Sequence, residues 1–179
     1  MSLDGPFTEL PPEYTAFYLA WKNARVGCAL PIRTNIRLQD FAQFADSMQI
    51  YELKASGQLH CRLMGSEIVD RTSNFDADDN IFDFFEAEVR QVAERYWHTL
   101  AVTPCGGLSQ FSVGYANGSN KLAKTLILPI LGKTGNTLFL IYNTTPQLMS
   151  ADMPRERLVL AQGGYRTEFI DIGFGLPSP

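Results

Sequence analysis

A chain of 179 residues with 45% hydrophobic content can bury one sizeable core and is short for two. Its net charge of −4, with Lys and Arg scattered singly, speaks against a nucleic-acid surface. Three cysteines without a CxxC pair suit a reducing cytoplasm, and no apolar run reaches membrane-spanning length.

The opening Met1-Ser2-Leu3-Asp4-Gly5-Pro6 has neither the basic nor the apolar region of a signal peptide, so a soluble cytoplasmic protein is expected. After Pro6, Pro11 and Pro12 the pattern turns helical from about Glu13. Tyr14, Phe17, Tyr18, Trp21 and Val26 recur at three- and four-residue steps and form one stripe, ended by Gly27. A lone helix of this kind must lay its stripe on the domain or on a second copy. Residues 1–28 therefore read as a flanking helix, with Tyr14, Phe17, Tyr18 and Trp21 as its packing or homodimer surface, and 29–179 as the domain.

Leu30-Pro31-Ile32-Arg33 is an extended connector, because proline pushes the preceding residue out of the α region. A second helix is predicted over Leu38 to Ser47, with Phe41, Phe44 and Ala45 inward. The period then changes from 3.6 to 2. Gln49 to Lys54 and Leu59 to Leu63 read as two strands joined at Ser56-Gly57. Gly65 ends the second strand, and Ser66 is a candidate N-cap for a short helix to Arg71. A polar loop, Ser73 to Asn80, and an aromatic segment, Ile81 to Phe85, precede a long amphipathic helix from about Glu86 to Leu100. Its inner face carries Val89, Val92, Ala93, Tyr96 and Trp97.

Pro104, Gly106 and Gly107 break that helix. Ser109 to Ala116, Leu122 to Leu131 and Thr137 to Asn143 then read as three strands, with turns at Asn117-Gly118-Ser119-Asn120 and Gly132-Lys133-Thr134-Gly135. The run Leu138 to Tyr142 is apolar enough for burial on both faces. A further extended segment lies near Tyr165 to Asp171. The order of elements predicts an α+β domain whose central helices cross one face of an antiparallel sheet and enclose a cavity.

Several of these pieces resemble the PAS superfamily of sensor domains, and more closely a family of short, stand-alone bacterial PAS-like proteins. The pieces are Trp21 and Arg25, Leu30-Pro31-x-Arg33-x-x-Ile36, Arg62-x-x-Gly65-Ser66-x-Ile68, Leu128-Pro129 with Gly135, and Ile170-Asp171-Ile172-Gly173-Phe174-Gly175. The resemblance implies a five-stranded antiparallel sheet in the order 2-1-5-4-3, helices on one face, an N-terminal flanking helix and a helix-lined cavity. It implies no particular ligand. Where family members commonly carry an aspartate-leucine-threonine-glycine turn, this chain has Asp76-Ala77-Asp78-Asp79.

Candidate chemistry is sparse. Cys61 lies in a strand and not on a helix above a flavin, and His98 near a helix end reads as a histidine facing the helix dipole. No haem, flavin or zinc site is therefore expected. Asp76, Asp78 and Asp79 lack the glutamate that completes a calcium loop. Gly106-Gly107-Leu108-Ser109 is no nucleophile elbow, and Gly132-Lys133-Thr134-Gly135 is a hairpin and no phosphate loop. Arg62 and Arg71 are the polar groups placed to meet a ligand anion or an internal carboxylate among Glu67, Asp70, Asp76 and Asp83. Tyr96, Trp97, Tyr115 and Tyr142, with Ser109 on the third strand beside Gln110 and Ser112, could offer hydrogen bonds to a cavity.

The expected function is a non-enzymatic sensory or regulatory domain that binds a small molecule or a protein partner. No kinase, cyclase or DNA-binding segment is recognised in these 179 residues, so output is expected through a partner. The alternatives are a small-cavity enzyme of isomerase or dehydratase type, and a structural interaction module without ligand.

Overall fold

The computed structural model describes residues 12–71, 79–114, 119–144, 147–151 and 159–178, without the side chains of residues 13, 71, 119, 147–151 and 159–164. Helix α1 (Pro12–Asn23) begins on a proline, whose missing N–H is no loss in the first helical turn. Residues Leu38–Ser47 form 3-10 turns in place of the expected α-helix. Phe41 and Phe44 are spaced by three residues, so three residues per turn stacks both rings on the same side.

Strands β1 (Met48–Leu53) and β2 (Leu59–Met64) form the first hairpin. Short helix α2 (Ser66–Arg71), a 3-10 turn at Ile81–Phe84 and helix α3 (Ala87–Val102) follow. Strands β3 (Gly106–Gly114), β4 (Ser119–Leu131) and β5 (Thr137–Asn143) make the meander. Two more strands complete the sheet, β6 (Gln147–Ala151) and β7 (Val159–Ile170). The expected loop over Ser73 to Asn80, with Asp76 and Asp78, falls mostly outside the described residues, as do Asn117 and Gly118 of the expected turn, whose Ser119 and Asn120 belong to β4.

All strand pairings in the sheet are antiparallel, in the order β2-β1-β5-β4-β3-β7, with β6 on β4. The five-strand path 2-1-5-4-3 is therefore present, and the tail adds β7 beyond β3 while β6 pairs with the far end of β4.

Helices on one face is corrected. Alternation along β5 sends Leu138 and Leu140 to one side and Phe139 and Ile141 to the other, all buried. A strand apolar on both sides needs cover on both. On one face Tyr14, Phe17 and Trp21 of α1 join Phe41 and Phe44 over Ile50, Leu128 and Leu140. On the other, Val89, Ala93, Trp97 and Leu100 of α3 join Phe82 and Phe85 over Tyr51, Ile127, Phe139 and Ile141.

The Tyr14/Phe17/Tyr18/Trp21 stripe is accordingly no homodimer surface. These four side chains are at most 7% exposed within the single chain, so the sheet has taken the stripe. Val26, 72% exposed, lies beyond the helix and outside the stripe.

Several of the residues that carried the resemblance act as fold determinants. The Trp21 indole donates to the Pro129 carbonyl at 2.9 Å. Pairing of β3 with β4 stops at Gly107 and Ile127, so Pro129 interrupts no ladder on that side. Arg25 spreads its guanidinium over three carbonyls, Ala29, Cys28 and Ile172, at 3.0, 2.6 and 3.0 Å. Its charge lies between the rings of Trp21 and Phe174, 5.4 and 5.2 Å from their centroids. Asp171 folds the tail turn by accepting from the N–H groups of Gly173 and Gly175, both at positive φ. Leu131 donates to Pro31, closing the connector onto β4.

Candidate functional site

The β2-to-α2 junction is built around a bulge. Ile50 pairs with Leu63 while Tyr51 pairs with Cys61, which leaves Arg62 as the extra residue. Alternation flips there. Cys61 faces α3, whereas Leu63 packs on the α1 side and Met64 returns to the α3 side. Uninterrupted alternation would have grouped Leu63 with Cys61, and the bulge overrides it.

Arg62 donates from Nε to Glu52 Oε2 at 2.6 Å, across the hairpin, and is partly exposed. Its carboxylate partner is thus Glu52, and not Glu67, Asp70 or Asp83, while Asp76 lies outside the described residues. Burial alone would raise the Glu52 carboxyl, but hydrogen bonds from Lys54, Arg62 and Asn136 hold it below its ordinary value. Arg62 is therefore a hairpin tie and lies outside the α3-facing interior. Arg71 ends α2, and its side chain falls outside what is described, as does Tyr115. Ser66 is the first helical residue and no cap; its hydroxyl donates to Asp46 Oδ1 at 2.6 Å, and Ser47 bonds Glu67.

Tyr142 is removed from the cavity group. It neighbours Ile141 on one strand, so period 2 turns it to the α1 face, where it stacks on Phe17 at 5.1 Å and meets Phe44 at 5.0 Å. Tyr96, Trp97 and Ser109 do converge on the α3-facing side. The Tyr96 hydroxyl donates to the Leu108 carbonyl at 2.9 Å, with the Glu168 carbonyl at 3.2 Å, and so bridges the β3–β7 seam. Gly107 is there because a Cβ would fall 2.1 Å from that hydroxyl.

Ser109 opens a polar row. It pairs with Thr125, which pairs with Asn143, and the row continues to Gln49 on β1. The Ser109 and Thr125 hydroxyls bond each other, and Asn143 Nδ2 donates to Gln49 Oε1 at 3.1 Å. Each of the four is at most 8% exposed. Gln49, Thr125 and Asn143 lie two residues along from Tyr51, Ile127 and Ile141, which face α3, so the row crosses four adjacent strands on that face. Sequence reasoning picked out Ser109 and missed the other three. The available signal was a polar residue within or at the end of each otherwise apolar strand.

The interior of this face is electrically neutral. Among the described residues no charged side chain is buried. Burial pushes the hydroxyls of Tyr51, Tyr96 and Tyr165 well above the ordinary tyrosine range, raises the Cys61 thiol and pushes Cys105 up to about 11. These groups are uncharged donors and acceptors at neutral pH. Trp97 is 5% exposed, and its indole N–H has no hydrogen-bond partner among the described residues.

An open cleft of about 520 Å³ runs between the β1–β2 turn and the outer side of α3. His98 and Arg95 line it, while Arg90 on its wall is tied to Asp83 at 2.8 Å and Glu94 at 2.7 Å. Among the described residues no group of three or more His, Cys, Asp or Glu could hold a metal ion, and no helix is long and apolar enough to cross a membrane.

No curated protein and no solved structure matches the chain. A family model described as PAS domain matches residues 11–141, from the start of α1 into β5. That span includes α1 with its stripe, the β1–β2 hairpin, α3 over the neutral interior and most of the meander, and the chain belongs to the PAS domain family.

Proposed function

We propose that this chain is a non-enzymatic sensory or regulatory PAS module that takes a small molecule between α3 and the sheet and passes its occupancy to a protein partner. The supporting observation is the buried row Gln49, Asn143, Thr125 and Ser109 on the α3 face. Polar side chains inside a core contribute little net stability compared with apolar ones of similar size, so a row of four suits recognition better than packing. Occupancy would favour one packing of sheet and helices over another and so shift a population.

The rival reading, an isomerase or dehydratase, calls for a carboxylate or histidine opposite a tyrosine with a displaced pKa. The described titratable groups buried on this face are tyrosines and cysteines held protonated, which favours binding over proton transfer. Native mass spectrometry of protein purified from its own host tests the proposal, with an absorbance spectrum of the same sample. A small organic mass released on denaturation is the expected result. Protein that carries no such mass, and whose melting temperature is unmoved by the host's small-molecule extract, overturns it in favour of a ligand-free interaction module.

A further inference from the structure

The chain has two tryptophans, and they are used differently. Trp21 satisfies its N–H on the Pro129 carbonyl at 2.9 Å. Trp97 is also buried, at 5% exposed, yet its N–H finds no hydrogen-bond partner among the described residues. A buried donor with no acceptor is a cost that a phenylalanine would avoid, and such groups in native proteins call for an explanation. The indole N–H bears on the Tyr165 hydroxyl: burial raises that hydroxyl strongly and the indole N–H pulls it partly back. The two groups approach without meeting in hydrogen-bond geometry.

Their surroundings are aromatic. The Trp97 ring lies 5.9 Å from Tyr51 and 5.1 Å from Phe139. Tyr165 lies 6.2 Å from Phe85 and 6.0 Å from Phe111. Rings on both sides suit a ring between or against them. An indole N–H can donate and cannot accept, so its partner must bring a lone pair. Among the described residues the chain buries no charged side chain, so an ionic guest would lose its hydration with no counter-charge to meet.

We propose that the Trp97 N–H and the Tyr165 hydroxyl form the polar end of a site for an uncharged, mainly apolar ring compound bearing one hydrogen-bond acceptor, such as a carbonyl oxygen or a ring nitrogen. This rests on the ligand-binding reading above and adds the chemical class of the guest.

The two indole N–H groups give the test its readout. A proton–nitrogen correlation spectrum of the full chain contains two indole signals, and Trp97→Phe assigns them by removing one. Three probes of similar shape are titrated: benzamide (neutral, with an acceptor), ethylbenzene (neutral, with none) and benzoate (anionic). Benzamide is expected to move the Trp97 indole proton downfield, leave the Trp21 signal in place and bind about tenfold tighter than ethylbenzene. Benzoate is expected to bind at least about tenfold more weakly than benzamide. Trp97→Phe should bring benzamide down to the ethylbenzene affinity. Tyr165→Phe should weaken it in the same direction, and this second variant carries the test if the first does not fold.

Benzoate binding as tightly as benzamide, or benzamide affinity unchanged by both substitutions, overturns the assigned chemistry and leaves the binding reading standing. So does a co-purified compound that is charged at neutral pH. If no probe shifts any resonance and protein from the host carries no mass, the binding reading fails and this inference with it.

Discussion

Replacing Gly65 by alanine should destabilise the domain severely, although nothing about its backbone forbids a side chain. Its φ is not among the positive values, so an alanine would ordinarily stabilise the position by about 0.4–1 kcal/mol through the unfolded chain. Here a Cβ would lie 2.2 Å from the Ala45 carbonyl oxygen and 2.4 Å from that of Asp46. Both are backbone atoms and cannot swing aside as a flexible side chain does. The strand exit must move by roughly 1 Å, away from the bonds that anchor it, Gly65 N–H to Met48 at 2.8 Å and Ser66 to Asp46 at 2.6 Å. Overpacking of this kind costs about 1–3 kcal/mol, and backbone neighbours place Gly65→Ala at the upper end, about 3 kcal/mol. For a chain of this size that is a fall in Tm of roughly 6–12 °C. Urea unfolding followed by circular dichroism measures it, with Gly57→Ala as the control. Gly57 has φ +83° and nothing within 4 Å of its Cβ, so it isolates backbone strain at about 1–2 kcal/mol. A Gly65→Ala protein as stable as the parent, or no worse than the control, would refute the close-approach argument.

Three further outcomes are expected. Arg25→Lys keeps the charge but not the planar fork over Cys28, Ala29 and Ile172, and should cost about 2 kcal/mol by the same unfolding assay. Tyr96→Phe alone should cost about 1 kcal/mol, yet it should relieve Gly107→Ala, whose Cβ meets the Tyr96 hydroxyl; a double-mutant cycle should show coupling of about 1 kcal/mol or more. The Asp171 carboxyl is held below its ordinary value by the N–H groups of Gly173 and Gly175. A depressed folded pKa contributes stability that is full above the ordinary aspartate value and is lost as pH falls through the folded one. Asp171→Ala should therefore flatten the loss of stability on acidification below roughly pH 4, and parallel pH curves for the two proteins would count against the tail turn.

The arginines show where local reading loses its hold. Arg62 was legible as a group in need of a carboxylate, and Glu52 supplies one across the hairpin. Which carboxylate it meets depends on the bulge between Ile50 and Tyr51, and a bulge has no period to detect. Trp21 and Arg25 were legible as a motif without a role. Their role is to tie α1 to Pro129 and to the tail at Ile172, contacts between residues more than a hundred positions apart.

Most element types and the pairing of hairpins follow from local chemistry and were legible in the sequence, the 3-10 turns of Leu38–Ser47 being the exception. The stripe of α1, the Ser56-Gly57 and Gly132-to-Gly135 turns, the long helix ended at Pro104 and the doubly apolar run Leu138 to Tyr142 all appear near the expected positions. Tertiary structure decided how the faces are shared. An apolar stripe states that a helix must be covered, and not by which face, so α1 and α3 could be placed on opposite sides of β5 only by the fold. The addition of β7 to β3 and of β6 to β4 is likewise a matter of long-range register. The candidate site follows the same division. Tyr96, Trp97 and Ser109 could be named from composition and position, whereas the row from Gln49 through Asn143 and Thr125 exists only once four strands align. A hydrogen-bonding group advertises itself in sequence, but whether it has found a partner is settled by what the folded chain brings within 3 Å of it.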